Sequence, residues 1–524
     1  MVMTDTERLD AGPYASHGGT PFPRGHHPRE ARSPRGRHRR ARDIRPGAVL
    51  ALTAGATFLA FLDTTVVNIA FPALAESFPG ASVSDLSWVI SGYAVLLAAL
   101  LTPGGRMADV IGRKRLFLGS LFLFTLMSAV AAISPSVVCL VTARAVQGAA
   151  AAGMIPAALG ILLVEMPPHR RAASIGVWGA SASMASAVGP ALGGLLVEWD
   201  SWRAVFLINV PIGFLLIVGG MAGLPVDKPS TSRLPDLIGT VLVAIGIALP
   251  VAGLTEGSSW GWDSPRTVGA IAGGLLILLA ALWRSRRHPA PAVEISLWRS
   301  PIFATANATS LLAGIGMFAW LLSAPLFCTV IWHFSVLEAG LAVTPGAFTS
   351  AVAAIIVGKR CSPRGQRIAV PVGLIGFAIT GVWMYLSLGD TPAFLSVWLP
   401  AGLLGGASLG TTLTGLSAVA ALSLPPDRFA TGMGMNTTAR QIGGALGVAA
   451  TAVLLTRADV GPTQSFLQVF LMCGIAAMLS ALVGMLLLRN PIGKPNHRPQ
   501  RAASGAPRPS ESDSRHAVHV AAGR

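Results

Sequence analysis

Residues 47–72 read GAVLALTAGATFLAFLDTTVVNIAFP, an apolar run broken by a single acid, Asp63. A bilayer core about 30 Å thick takes roughly 20 residues of helix, so a run of this length reads as a membrane span. Charge deep inside hydrocarbon is costly, which makes the one carboxylate the first residue to explain. Working outward, runs of the same kind recur to the end of the chain and give fourteen spans, the second at 87–105 and the thirteenth at 434–455. Hydrophobic residues make up 52% and charged residues 12%, with a mean hydropathy of +0.62. A soluble protein carries about 25% charged residues, so a water-soluble enzyme is excluded.

The formal charge of +16 suggests nucleic acid until its placement is followed. With an even number of spans and both termini cytoplasmic, the outer loops keep only Arg203, Arg266 and Arg457 among Lys and Arg, Arg144 and Arg440 fall within helices, and the rest lie inside. The charge is topological, and no nucleic-acid partner is expected. Residues 1–46 and 491–524 are polar, basic and without an apolar core, and read as disordered cytoplasmic tails. All ten histidines fall in tails or loops, and the four cysteines have no metal-type spacing, so neither a metal site nor an intramembrane enzyme is expected.

Residues 143–177 align without gaps on 401–435, sharing the Pro167-Pro168/Pro425-Pro426 loop and Gly176/Gly434. Gly189-Pro190-Ala191-Leu192-Gly193 then matches Gly443-Gly444-Ala445-Leu446-Gly447. Both copies cross the membrane in the same direction, which makes the halves parallel repeats. The expected architecture is all-α: a six-helix half (47–223), a two-helix insert with its loops (224–301) and a second six-helix half (302–490).

Four segments carry candidate chemistry. Asp63 is the only carboxylate deep within a span; burial disfavours its charged form, which suits it to exchange a proton, while a structural hydrogen-bonding role is the alternative. Arg144, in Arg144-Ala145-Val146-Gln147-Gly148, is a buried cation that must find a carboxylate, polar groups or water. Gly105, Asp109, Gly112 and Arg113 form an acid-then-base cluster with glycines at cytoplasmic helix ends. That arrangement suits a latch between the halves, although simple positive-inside topology also accounts for Arg113 to Arg115. Gly189, Pro190, Gly193 and Gly194 permit kinking and close helix approach. Asn68, Met154, Trp178, Met184, Met317 and Trp320 are candidate cavity walls for a large apolar ligand, and equally good packing residues.

Read together, these segments resemble the Major Facilitator Superfamily, specifically its fourteen-span drug:proton antiporters, over roughly residues 47–490. Trp202 to Gly213 is similar to a stretch found in that branch, while Val110 and Ala185 depart from its usual pattern. The resemblance implies alternating access, with Asp63 and Arg144 in proton coupling and Gly105 to Arg115 as the gating loop. It implies multidrug efflux or antibiotic resistance, powered by the proton gradient without a cofactor, by a multi-pass protein of the plasma (inner) membrane expected to act as a monomer. An importer or uniporter of the same fold, or a membrane sensor that moves nothing, are the alternatives.

Overall fold

The computed structural model describes residues 46–81, 83–225, 236–456 and 461–489; the tails, apart from Pro46, and Arg457 lie outside the described residues. Among the described residues, fourteen helices are long and apolar enough to cross a membrane, matching the expected count. The first six are α1 (Pro46–Ile69), α2 (Asp85–Ile111), α3 (Arg113–Ala132), α4 (Val137–Glu165), α5 (Pro168–Trp199) and α6 (Ala204–Gly223). Two follow as α7 (Leu237–Thr255) and α8 (Pro265–Arg287). The last six are α9 (Pro301–Val330), α10 (Leu337–Arg360), α11 (Pro363–Ser387), α12 (Phe394–Leu422), α13 (Pro426–Leu455) and α14 (Pro462–Leu488). In hydrocarbon only a helix satisfies its own backbone, so each long apolar run takes that form and tolerates internal prolines such as Pro156 and Pro190.

Two helices run past the limits expected from hydropathy. α2 continues from 105 to Ile111 and α13 begins eight residues before 434. Charges at Arg106 and Arg428 end the apolar runs, but backbone hydrogen bonding does not stop at a charge. The stretch expected as a loop with glycine hinges is therefore largely helix. Gly105 sits in the interior of α2 and Asp109 in its last turn, and the break comes at Gly112, whose φ of 117° no L side chain adopts easily.

The halves meet along two seams, α2 against α13 and α5 against α10. At the first, Gly434 lies against the Leu101 carbonyl and Gly105 against the Ala430 carbonyl. At the second, Gly176 lies against the Ala354 carbonyl and the Cα of Gly358. Gly434 and Gly176 occupy the same place in the sequence repeat, so one packing solution is used twice. A shared apolar cluster that includes Leu101, Met154, Trp178, Leu416 and Met433 joins the halves, while Phe122, Leu215, Leu276 and Leu479 face outward to lipid. α7 packs on α8 and on α2. An Asp236–Arg284 ion pair of 2.5 Å ties the ends of the inserted helices, and Arg284's hydrogen bonds hold the Asp236 carboxyl below the usual carboxylate range.

Candidate functional site

Five helices of the first half deliver polar groups to one dry point. Asp63 of α1 and Arg144 of α4 are fully buried, and Arg144 Nη1 donates to Asp63 Oδ2 at 2.5 Å and to Gln147 Oε1 at 2.7 Å. Arg144 Nε donates to the Val89 carbonyl of α2 at 3.1 Å, and its guanidinium stacks 4.3 Å from the centre of the Tyr93 ring. The other carboxylate oxygen, Oδ1, accepts from Gln147 Nε2 at 3.1 Å and from Asn209 Nδ2 of α6 at 2.8 Å. Ser128 Oγ of α3 accepts from both amides at 2.9 Å. Sequence reading paired the right acid and base but assigned no role to Gln147, Asn209 or Ser128. The three-residue spacing of Arg144 and Gln147, which puts both on one face of α4, was the available signal. Removing one partner of a buried, hydrogen-bonded pair typically costs 3–5 kcal/mol, so protonating Asp63 would strain the whole network.

The residues expected to gate form a second cluster, between the halves. Asp109 Oδ1 accepts from Arg113 Nε at 2.8 Å and Nη2 at 2.6 Å, and Oδ2 accepts from the Thr431 backbone N–H and hydroxyl, each at 2.8 Å. Thr431 lies in the first α-helical turn of α13, which starts at Phe429 after a 3-10 turn, so a carboxylate of the first half satisfies a first-turn backbone donor of a helix in the second and meets the positive end of its dipole. Arg113 also donates to the Pro426 carbonyl at 2.6 Å. Glu294, in the segment after α8, is ion-paired to both Arg106 of α2 and Arg428 of α13. Thr102 donates to Thr438 at 2.8 Å within the same seam. This end of the molecule is shut by a belt of polar contacts, of which sequence reading found Asp109, Gly112 and Arg113 and missed Glu294 and Thr431.

On α5, Gly189 abuts Thr65 and Gly193 abuts Val66, both of α1, and Pro190 approaches Gly340 of α10. Gly194 faces open space and takes no part in that seam. The six cavity candidates are not brought together. Met154 and Trp178 are buried in the shared cluster, Met184 packs on the α5–α10 seam, and Met317 is buried on α9. Trp320 packs edge-on against Phe377 and tilted against Phe470 within the second half, and Asn68 is exposed. In the second half Asn436 donates to Ser310 at 2.8 Å, and the buried charge is Arg440 of α13.

Fourteen membrane helices in two repeated bundles, an inserted pair, a buried acid–base network and a polar belt across the bundles define the class of secondary transporters. Residues 53–241, 237–448 and 306–520 match the sequence profile of the Major Facilitator Superfamily, and the chain belongs to that family. It is 32% identical to the probable actinorhodin transporter of Streptomyces coelicolor, over 78% of this chain and 72% of that protein. It is 34% identical to the cephamycin export protein CmcT of Amycolatopsis lactamdurans, over 79% of this chain and 86% of that one. In fold it is similar to a double-tryptophan variant of XylE, with a TM-score of 0.63 at 14% identity over 86% of this chain and 97% of the other.

Proposed function

We propose that the protein is a proton-coupled exporter of hydrophobic or amphipathic small molecules in the plasma membrane, with both termini cytoplasmic and the polar belt forming the cytoplasmic gate. The observation that carries the coupling is the Asp63–Arg144 pair, closed off from water and held by groups from five helices. The name of the cephamycin export protein supports outward transport. A proton arriving from outside neutralises Asp63 and cancels its attraction to Arg144. The guanidinium must then find other acceptors, and the helices that carry the two residues, α1 and α4, repack. In this reading the repacking is conveyed to α2, through Val89 and Tyr93, and α2 carries Asp109 and the gate at its far end.

No cofactor is needed. One inward charge gains about 2.3 kcal/mol per 100 mV, enough to sustain roughly a 50-fold gradient of a neutral substrate. The test is Asp63→Asn in inverted vesicles with an imposed pH gradient. Proton-driven export should fall at least 100-fold while the protein still reaches the membrane. Undiminished pH-driven export by that variant would remove Asp63 from the mechanism.

A further inference from the structure

One buried charge of the second half stands without a partner among the described residues. Asp63 is committed to Arg144, Asp109 to Arg113 and Thr431, and Glu294 to Arg106 and Arg428. Arg440 is 91% buried, and among the described residues its side chain has no hydrogen bond and no counter-ion. A buried cation without a partner is costly in a low-dielectric interior, and the guanidinium, unlike a lysine, cannot escape by losing its proton.

Helix geometry fixes where it lies. At 100° per residue, Leu446 and Val453 mark the lipid face of α13, Gly434 and Thr438 the face on α2, and Gly443 and Gly447 the face on α9. Arg440 falls just beyond the α9 face, on the interior side, with Thr437 and Gly444. Its surroundings are also short of donors. The amide oxygens of Asn436, one turn earlier, and of Asn307 on α9 are buried with no donor. The half-buried ring of Phe318 lies over Gly444, one turn later, as a flat apolar surface.

We infer that Arg440 is the anchor of a substrate site in the second half that takes amphipathic aromatic monoanions, with the acidic group on the guanidinium, the ring system against Phe318, and ligand hydroxyls donating to Asn307 and Asn436. A carboxylate matches the planar fork of arginine, and an unpaired guanidinium repels cations. The inference deepens the export reading and rests on it for the direction of movement. Binding itself does not need proton coupling.

The experiment measures binding of anthracene-9-carboxylate and of its neutral methyl ester to the purified full-length protein in nanodiscs, without a pH gradient. The wild type should bind the carboxylate at least tenfold more tightly than the ester. Arg440→Gln should abolish that preference while changing ester affinity less than twofold, and Arg440→Lys should keep part of it. Asp63→Asn should keep all of it, so that failure of proton-coupled export leaves this result standing. Equal affinity for the two probes, binding of neither, or an intact preference in Arg440→Gln would each overturn the site. If the glutamine variant fails to fold, the lysine variant decides: weaker carboxylate binding with unchanged ester binding supports the site, and no change in either overturns it.

Discussion

The two seams between the halves, α2 with α13 and α5 with α10, share a skeleton and differ in chemistry. Gly105 and Gly358 occupy matching places, as do Gly434 and Gly176, and each pair lets backbones touch. Four residues after Gly105 stands Asp109, which reaches across to Thr431; four residues after Gly358 stands Ser362, which turns back to cap Gly365 of its own helix at 3.1 Å. Where the first seam has Arg113 bonded to the opposite half, the second has Gln366, which donates only to the nearby Cys361 carbonyl. The duplicated fold supplied two seams of equal shape, and among the described residues only the first has a charged lock; the second has neutral contacts, Ser183 with Ser350 at 3.0 Å and Thr344 donating to the Ala187 carbonyl at 3.3 Å. Close packing is indifferent to the state of charge, whereas a carboxylate capping a helix in the other half is a contact that can be made and released.

That contrast can be broken first at the shared skeleton. Gly105→Ala drives a methyl group into the Ala430 carbonyl, and Gly358→Ala into the Ala172 carbonyl and Gly176. Backbone cannot yield as a side chain can, and overpacking of this kind costs about 1–3 kcal/mol. Both variants should lose transport by tenfold or more in everted vesicles, and a harmless Gly358→Ala would show that the seams are not equivalent in packing. A smaller and one-sided effect is expected at the lock. Asp109→Asn weakens charge-assisted bonds worth about 1.5–3 kcal/mol each, so thiol labelling of cysteines introduced along α2 at this end should rise at least tenfold. Ser362→Ala should lose only a helix cap of about 1 kcal/mol and leave the labelling unchanged. Labelling that rises equally in both would erase the distinction. The mildest change is Arg428→Gln. Arg428 is 36% exposed, so its pair with Glu294 holds no more than about 1 kcal/mol and labelling should rise by up to fivefold.

How far the sequence disclosed this arrangement depended on contrast with a background. Charges are rare among apolar spans, so Asp63 and Arg144 stood out and their pairing followed from the need of each for the other. Ser128 and Asn209 did not, because neutral polar residues are common in membrane helices and nothing marks the few that converge. Hydropathy counted the helices but misplaced the ends of α2 and α13, where charged residues continue a helix beyond the apolar core. The second seam was hidden because Gly358-x3-Ser362-x2-Gly365 keeps the spacing of Gly105-x3-Asp109-x2-Gly112 without its acid. The cavity candidates failed to converge because large apolar residues serve packing everywhere in such a protein.

Glu294 gives the inserted helices a mechanical meaning. The segment that holds both Arg106 and Arg428 hangs from a helix pair whose outer surface, at Leu275, Leu279 and Trp283, lies in the lipid. The shut end is therefore braced from an outrigger rather than from within the two repeats alone. To unclasp it the molecule must let go of, or drag, a lever that lies against lipid, so the work of opening includes whatever the surrounding bilayer charges for that displacement.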